Sequence, residues 1–435
     1  MAPLRSWLDV DHKSHFSLHN IPFGIISTAT DAEPHPAVAI GTHALDLQIF
    51  TRENGFASLS VIQPHQSVFL QSTLNAFAGL GRPMHSVVRE YLQSVLLANG
   101  PFPDILERNE ALRQTSLIPL QHCKMHLPMQ IGDYTDFYAG LHHAYNVGTL
   151  FRGPQNALQP NYKHLPVGYH GRASSVVVSG TPIRRPNGQI LPNPTAESKE
   201  PILSPSRKLD IELELGCFVC KPSALGEPVR ISDAPEHLFG VVLMNDWSAR
   251  DVQAWEYVPL GPFNSKNFGT SISPWIVLFD ALEPYASRGL QNDATVLPYL
   301  DEHDRKSHYT INLSVTLTTS SGSTSTITST SATNLLFSFP QMLAHHTVGG
   351  CPFNVGDLMG SGTISGVSKA EKGCLLEQTE NGKVDIELEG DDKRKFLADG
   401  DTVTIVGVCG GEEGALVGFG ECSGRIEPAV ELDYS

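Results

Sequence analysis

No stretch of the chain stays apolar for the ~18 residues that a membrane span needs, so an embedded protein is not expected. The opening residues, MAPLRSWLDVDHKSHF, mix charge and polarity and lack the apolar core of a secretory signal. Cysteine is sparse and odd in number, 7 in 435 residues, without the spacing of a disulfide framework. Cys217 and Cys220 form a C-x-x-C, yet in CFVC they alternate with apolar residues as in a strand. They read as buried free thiols rather than as a zinc or redox pair, which implies a reducing, cytoplasmic setting. Positive charge is also short: 30 Lys and Arg stand against 46 Asp and Glu, a formal charge of −16. That field repels polyanions and argues against nucleic acid or an anionic membrane as partner. Several motifs are missing: G-x-x-x-x-G-K-[ST], G-x-S-x-G, H-E-x-x-H, and G-x-G-x-x-G between a strand and a helix. Their absence weighs against a P-loop enzyme, a serine hydrolase, a zincin and a dinucleotide enzyme.

What is present points to a globular, turn-rich chain. Hydrophobic residues make up 40% and charged residues 17%, with 38 Gly and 30 Pro, which suits many short strands. The length favours two domains. Residues 1 to about 118 read as a small unit with strand-like pieces at 23–27, 37–40 and 44–47. A stretch from Val87 to Leu112 carries helical periodicity in REYLQSVLLANG and FPDILERNEALRQ. Residues 119–435 are strand-rich, in runs such as SSVVVSGTPI, DIELELGCFV, HLFGVVLMND, TINLSVTLTT and DTVTIVGV, with turns at Asp399-Gly400 and Ser321-Gly322. The fold class is therefore mainly β with some α, mostly antiparallel, not a doubly wound α/β sheet. The segment SSGSTSTITSTSATN (320–334) reads as an exposed hairpin.

The sharpest local signal is Asp210-Ile211-Glu212-Leu213-Glu214-Leu215. In a strand the three acids share a face, with i and i+2 about 6.5 Å apart, so Glu212 and Glu214 can converge on one cation. A half-exposed strand with an acidic outer face fits equally. In LMNDWSARDVQAWEYVPLGPF (243–263) an apolar strand ends at Asn245-Asp246, and Ser248-x-x-Asp251 resembles a capping box. Arg250, Gln253 and Tyr257 then fall on one helical face, a recognition surface for oxygen-rich ligands or simply a solvated face. Asp246 is a further metal ligand or an ordinary cap. Upstream, IGDYTDFYAGLHHAYNVGTLFRG (131–153) crowds Asp136, Tyr138, His142, His143 and Arg152 together. LPVGYHGRASS (165–175) adds Tyr169, His170 and Arg172; later stretches add Lys266, Thr270, Thr363 and Glu377.

IGDYTDFY, FRGPQNALQPNY, LPVGYHGRASS, LDIELE, MNDWSARDVQAWEYVPLGPF and SGTISG, in that order across residues 119–425, resemble the fumarylacetoacetate hydrolase family. NIPFGIIST, VAIGTHALDL and TLNAFAGLG extend the resemblance to the family's smaller domain. It implies a small SH3-like N-terminal barrel, a larger mixed β-roll or sandwich, and a homodimer. The implied reaction is hydrolysis of the carbon–carbon bond of 4-fumarylacetoacetate to fumarate and acetoacetate, the last step of tyrosine and phenylalanine catabolism. Carried over by position, the metal carboxylates are Asp136, Glu212, Glu214 and Asp246, and the general base is His143, oriented by Glu377. The substrate contacts are Tyr138, Arg152, Tyr169, Gln253, Tyr257 and Thr363, with Arg250, Gln253 and Lys266 as polar groups at the reacting carbonyl. A second, magnesium site falls on Lys266 and Thr270 beside Asp246. All-oxygen ligands suit Ca²⁺, Mg²⁺ or Mn²⁺ better than Zn²⁺. Departures from the family pattern fall in loops, at 195–206, around 325 and at 410–418. Two other readings remain: decarboxylation, hydration or tautomerisation of a small oxo-acid within the same superfamily, and a non-enzymatic scaffold whose acidic cluster is structural.

Overall fold

Val242, Met244 and Asp246 alternate with Val241, Leu243 and Asn245 along the Leu238–Asp246 strand, and all nine of its residues are buried. This two-residue period decides what each face of the central sheet touches. The computed structural model describes residues 4–303, 305–411 and 414–433. Met1–Pro3 of the opening stretch and Glu412 and Glu413 of the 410–418 loop lie outside the described residues.

The central sheet runs in the order Gly168–His170, Tyr134–Phe137, Leu358–Gly360, Leu213–Val219, Leu238–Asp246, Thr270–Ile272 and Val176–Val178. An eighth strand, Val277–Leu278, also pairs with Leu238–Asp246. Pairing is antiparallel except where Leu358–Gly360 meets Tyr134–Phe137 and where Thr270–Ile272 meets Val176–Val178. On one face Leu213, Leu215, Cys217, Val241 and Leu243 pack against Leu313, Val315, Leu317, Val403 and Ile405. Those residues belong to a five-stranded sheet ordered Thr324–Ser331, Asn312–Thr318, Thr402–Cys409, Val417–Glu427 and Ile183–Arg184. On the other face Phe218, Val242, Met244, Ile272 and Leu358 share a core with Phe23 and Phe77 of the N-terminal unit. Phe239 joins that second core although its parity predicts the first. The ladder shifts between Phe218 and Val219, and the inserted residue reverses its facing.

The N-terminal unit carries a small SH3-like antiparallel sheet, ordered Leu117–Pro119, His43–Asp46, His35–Ile40, Phe23–Thr28 and Cys123–His126. The three expected strand pieces are the middle of this sheet. The helical stretch expected from Val87 to Leu112 is two helices, Arg82–Leu96 and Glu110–Ser116. The first ends where Leu97 turns extended, at ψ 130°, with Asn99 at φ 57° in the turn that follows, and FPDILERN is a run of turns because Pro101 and Pro103 cannot continue a helix.

The Ser/Thr segment does form a hairpin strand, Thr324–Ser331, but Ser325, Thr328 and Thr330 are buried. Its register shifts opposite Val315 and Thr316, so Ile327 is the extra residue and the alternation changes phase across it. Cys217 and Cys220 are buried free thiols. No helix among the described residues is long and apolar enough to cross a membrane.

Candidate active site

Asp136, Glu214 and Asp246 come from three neighbouring regions of one sheet face. Asp136 follows Tyr134 by two residues, Glu214 pairs with Met244, and Asp246 follows Met244 by two. All three therefore project on the side that also carries the second core. Glu212 joins them from just before its strand. A continuous strand through 210–215 was expected; instead the chain pairs at Leu209–Asp210, breaks at Ile211 and Glu212, and resumes at Leu213. Asn245 Oδ1 takes the Glu212 amide N–H at 3.1 Å in place of a ladder bond. The break separates the acids. Asp210 leaves the group and accepts the amides of Leu375 and Leu376 at 2.7 and 2.9 Å. Glu212 and Glu214 stay with Asp136 and Asp246, ligand atoms within 4.8 Å of one another and all four residues buried.

The four carboxylates are not equivalently satisfied. Asp246 accepts from Tyr169 at 2.6 Å, Lys266 at 2.8 Å and Thr270 at 2.9 Å. Glu212 accepts from Arg250 Nη1 at 2.8 Å and from Lys266 Nζ. Asp136 Oδ1 and Glu214 Oε1, by contrast, are buried with no hydrogen-bond donor. Burial first, and neighbouring carboxylates second, push the carboxyl groups of Asp136 and Glu214 well above the usual range. Burial acts the same way on Glu212, but Lys266 and Arg250 outweigh it and hold its carboxyl at about 2. Two donorless buried oxygens facing a set of all-oxygen ligands fit a hard divalent cation. Gly360 is part of the same design, since a Cβ there would lie 2.3 Å from Asp136 Oδ1.

A cavity of about 990 Å³ opens over this cluster. Asp136, Glu212, Glu214, Arg250, Gln253 and Lys266 line its charged end; Tyr138, His143, Arg152, Tyr169, Tyr257 and Thr363 also line it. Asp246 and Thr270 open instead onto a smaller adjoining cavity of about 260 Å³, which Lys266 and Tyr169 share. His170 and Arg172 line only that smaller cavity.

The Arg250–Glu256 helix presents Arg250 and Gln253 together, joined by a 3.1 Å bond from Arg250 Nη1 to Gln253 Oε1. Tyr257 caps its C-terminal end. The expected capping box is not formed. Ala249 is the N-cap, and the Asp251 carboxylate instead takes Ser206 Oγ and the Arg207 amide, both at 2.7 Å. Ser248 sits in a short strand and bonds the Asp246 carbonyl. Among the described residues, two buried donors at the cavity lack a partner: Arg250 Nη2 and Thr363 Oγ1.

His143 is 2% exposed on the Leu141–Arg152 helix. Its Nδ1 donates to Glu377 Oε2 at 2.6 Å, so its other ring nitrogen is the one free for chemistry. Burial opposes ionisation of Glu377, but His143, Asn146 and Ser365 outweigh it and hold the carboxyl at about 2. His142, the neighbouring imidazole, is half-buried, with burial lowering its pKa, and does not line the cavity. The sequence reading missed Asn146, Ser365 and Cys374, which surround Glu377. Only Asn146 carried a signal, at i+3 from His143 on the same helix.

Fold and site together define a β-rich protein with a buried carboxylate centre able to hold a metal, set beside a His–Glu dyad. The fumarylacetoacetase N-terminal family model matches residues 19–128, and the fumarylacetoacetate hydrolase C-terminal model matches residues 134–427. This chain belongs to the fumarylacetoacetate hydrolase family. It is 61% identical over 433 residues to the fumarylacetoacetase fahA of Aspergillus fumigatus, covering 99% of this chain and 100% of the relative. It is 48% identical over 426 residues to the fumarylacetoacetase of Homo sapiens, covering 98% and 99% respectively. The solved fumarylacetoacetate hydrolase of the psychrophile Exiguobacterium antarcticum shares the fold at a TM-score of 0.51, with 14% identity over 94% of this chain and 99% of that one.

Proposed function

We propose that this chain is a hydrolase that cleaves the carbon–carbon bond of 4-fumarylacetoacetate to fumarate and acetoacetate, closing tyrosine and phenylalanine breakdown. The observation that carries the reading is the His143–Glu377 pair, held at 2.6 Å, with His143 on the wall of the cavity that the acidic cluster underlies. Full-length relatives that bear the fumarylacetoacetase name at 46–61% identity support it.

Hydrolysis needs a water oxygen to bond to the ketone carbon on the fumaryl side, and the bond from that carbon to the central CH₂ to break. The electron pair leaves as the enolate of acetoacetate, which a proton then quenches at carbon. His143 takes the water proton through its free ring nitrogen, with Glu377 fixing the tautomer and stabilising the imidazolium. Arg250 Nη2 and Thr363 Oγ1, buried without partners, are donors for oxygen atoms of the substrate as charge develops. An oxyanion donor of this kind is worth ~10²–10³ in rate. Gln253 and Lys266 support the same end; Tyr138, Arg152, Tyr169 and Tyr257 bind the rest of the substrate.

Asp136, Glu212, Glu214 and Asp246 would hold a divalent cation, Ca²⁺, Mg²⁺ or Mn²⁺, supplying Lewis-acid polarisation of the diketone oxygens. At a second, magnesium position Asp246 and Thr270 offer oxygens. Lys266 would serve there as a charge neighbour, since an ammonium has no lone pair to give. The same proposal takes the enzyme as a cytoplasmic homodimer whose chain divides into a small N-terminal domain, 1–118, and a catalytic domain, 119–435, with the Cys123–His126 strand returning to the N-terminal sheet.

The test mixes purified protein with fumarylacetoacetate, with and without a chelator, and follows fumarate and acetoacetate. Equimolar release of both, lost on chelation and restored by a divalent cation, is expected. Consumption of the diketone without fumarate would overturn the assignment in favour of a sibling oxo-acid chemistry.

A further inference from the structure

The carboxylate of Glu377 is held from more sides than orienting an imidazole requires. Its Oε2 accepts His143 Nδ1 at 2.6 Å, Ser365 Oγ at 2.8 Å and Cys374 Sγ at 3.1 Å, while Oε1 accepts Asn146 Nδ2 at 2.7 Å. A lone carboxylate can turn about its last side-chain bond and exchange its two oxygens. Here each oxygen has its own anchor, so the plane of the group is fixed.

The directions of these bonds follow from the chemistry of the partners. An ionised carboxylate only accepts, so the Asn146 contact must come from its NH₂ and the His143 contact from an N–H on Nδ1. Ser365 is constrained further. Its oxygen already accepts the Gly373 amide at 2.9 Å, which leaves its hydroxyl hydrogen to point at Glu377. Ser365 is 0% exposed and Glu377 7%, so water does not compete at the serine.

Position in the fold makes the arrangement a unit. Asn146 lies one turn after His143 on the Leu141–Arg152 helix, so one rigid element carries the base and grips its orienter. Glu377 sits on the short Leu375–Gln378 helix. The amides of Leu375 and Leu376 in its first turn donate to Asp210, which in turn pairs with Arg250 at 2.8 Å.

We propose that Asn146 and Ser365 are positioning residues that clamp the two oxygens of Glu377, so that His143 keeps one tautomer and presents its free ring nitrogen to the cavity. This rests on His143 being the base, as proposed above. Neither residue touches the reacting atoms; both act through Glu377.

The test uses Asn146→Leu and Ser365→Ala in the full-length, metal-loaded enzyme, with His143→Ala and the corresponding double variants. Each single variant should stay folded with unchanged metal content and lower kcat by about 10–100-fold, part of the ~10²–10⁴ that a positioned base contributes. KM should stay within about twofold. The strongly downfield proton signal of the short His143–Glu377 bond should broaden or vanish in proton NMR. Adding Asn146→Leu to His143→Ala should cost nothing further, because residues that act as one unit are not additive. Wild-type kcat and an intact proton signal in both single variants would overturn the clamp. So would an undiminished rate loss in the His143→Ala background. If Asn146→Leu fails to fold, Ser365→Ala carries the same readouts alone. If His143→Ala itself turns over normally, the base assignment falls, while the proton signal still decides whether the two residues hold the pair.

Discussion

Asp210 and Glu212 are joined by a single guanidinium: Arg250 reaches Asp210 through Nε and Glu212 through Nη1, each at 2.8 Å, with all three side chains buried. The two acids that look alike in sequence therefore serve different ends. Asp210 fixes Arg250 and the turn before Glu377, whereas Glu212 faces the four-carboxylate cluster. Arg250→Ala leaves two buried carboxylates without their partner. Removing one member of a buried pair costs about 3–5 kcal/mol; urea unfolding should register a loss of that size together with lost turnover. Arg250→Lys should recover little of either, because a point ammonium cannot span both acids as the planar fork does.

Asp246→Ala and Glu214→Ala should lose bound metal and activity together. In the wild-type protein, adding Ca²⁺, Mg²⁺ or Mn²⁺ should raise the melting temperature as ligand binding to the native state requires. In the two variants that rise should shrink or disappear. A metal-dependent melting shift of full size in Asp246→Ala would locate the ion elsewhere.

Gly360→Ala is a one-carbon probe of the same centre. Its Cβ would sit 2.3 Å from Asp136 Oδ1 and 3.2 Å from Glu214 Oε2. Overpacking of this kind costs about 1–3 kcal/mol. The expected outcome is a folded protein with strongly reduced metal content by elemental analysis.

His143→Ala should lower fumarate release by about 10²–10⁴-fold, to a small but measurable rate, while metal content stays at the wild-type level, because the imidazole and the acidic cluster are separate groups. Simultaneous loss of metal would mean that the histidine supports the cation and not only the water.

Acid stability should depend on Glu377. Its carboxyl is held down to about 2 in the fold, below the ordinary unfolded value near 4.3. A group whose pKa is depressed by folding stabilises the native state above the unfolded pKa, and the benefit is lost as pH falls through the folded one. The difference corresponds to roughly 3 kcal/mol. The stability gap between wild type and Glu377→Gln should be widest near neutrality and narrow from about pH 4.5 towards 2, as followed by chemical unfolding across that range.

Much of the site was legible because strand parity is legible. Val241, Val242 and Leu243 leading into Asn245-Asp246 mark a buried strand ending in an acid, and the acid's facing follows from counting by twos. The same counting failed at Asp210. It assumed an unbroken strand, and nothing local announces that Asn245 will replace a ladder bond at Glu212. Ser248-x-x-Asp251 misled for a related reason: the Ser206–Arg207 turn, distant in sequence, offers Asp251 better donors than its own helix does. Asn146 was readable from helical spacing to His143, but Ser365 and Cys374 were not. Their relation to Glu377 depends on how the loop after Gly360 folds back, a tertiary fact without a local pattern.

The apolar half of the face that bears Glu214 and Asp246 is roofed by the first hundred or so residues, through Phe218, Val242, Met244 and Leu358. Among the described residues the N-terminal unit brings no acid to the cluster, yet it presses on the very strands whose spacing sets the distance between the carboxylates. Injury far from the catalytic end, at Phe23 or Phe77, should then surface as a weaker grip on the ion. Such a variant would show a metal defect whose cause lies at the far end of the same sheet face.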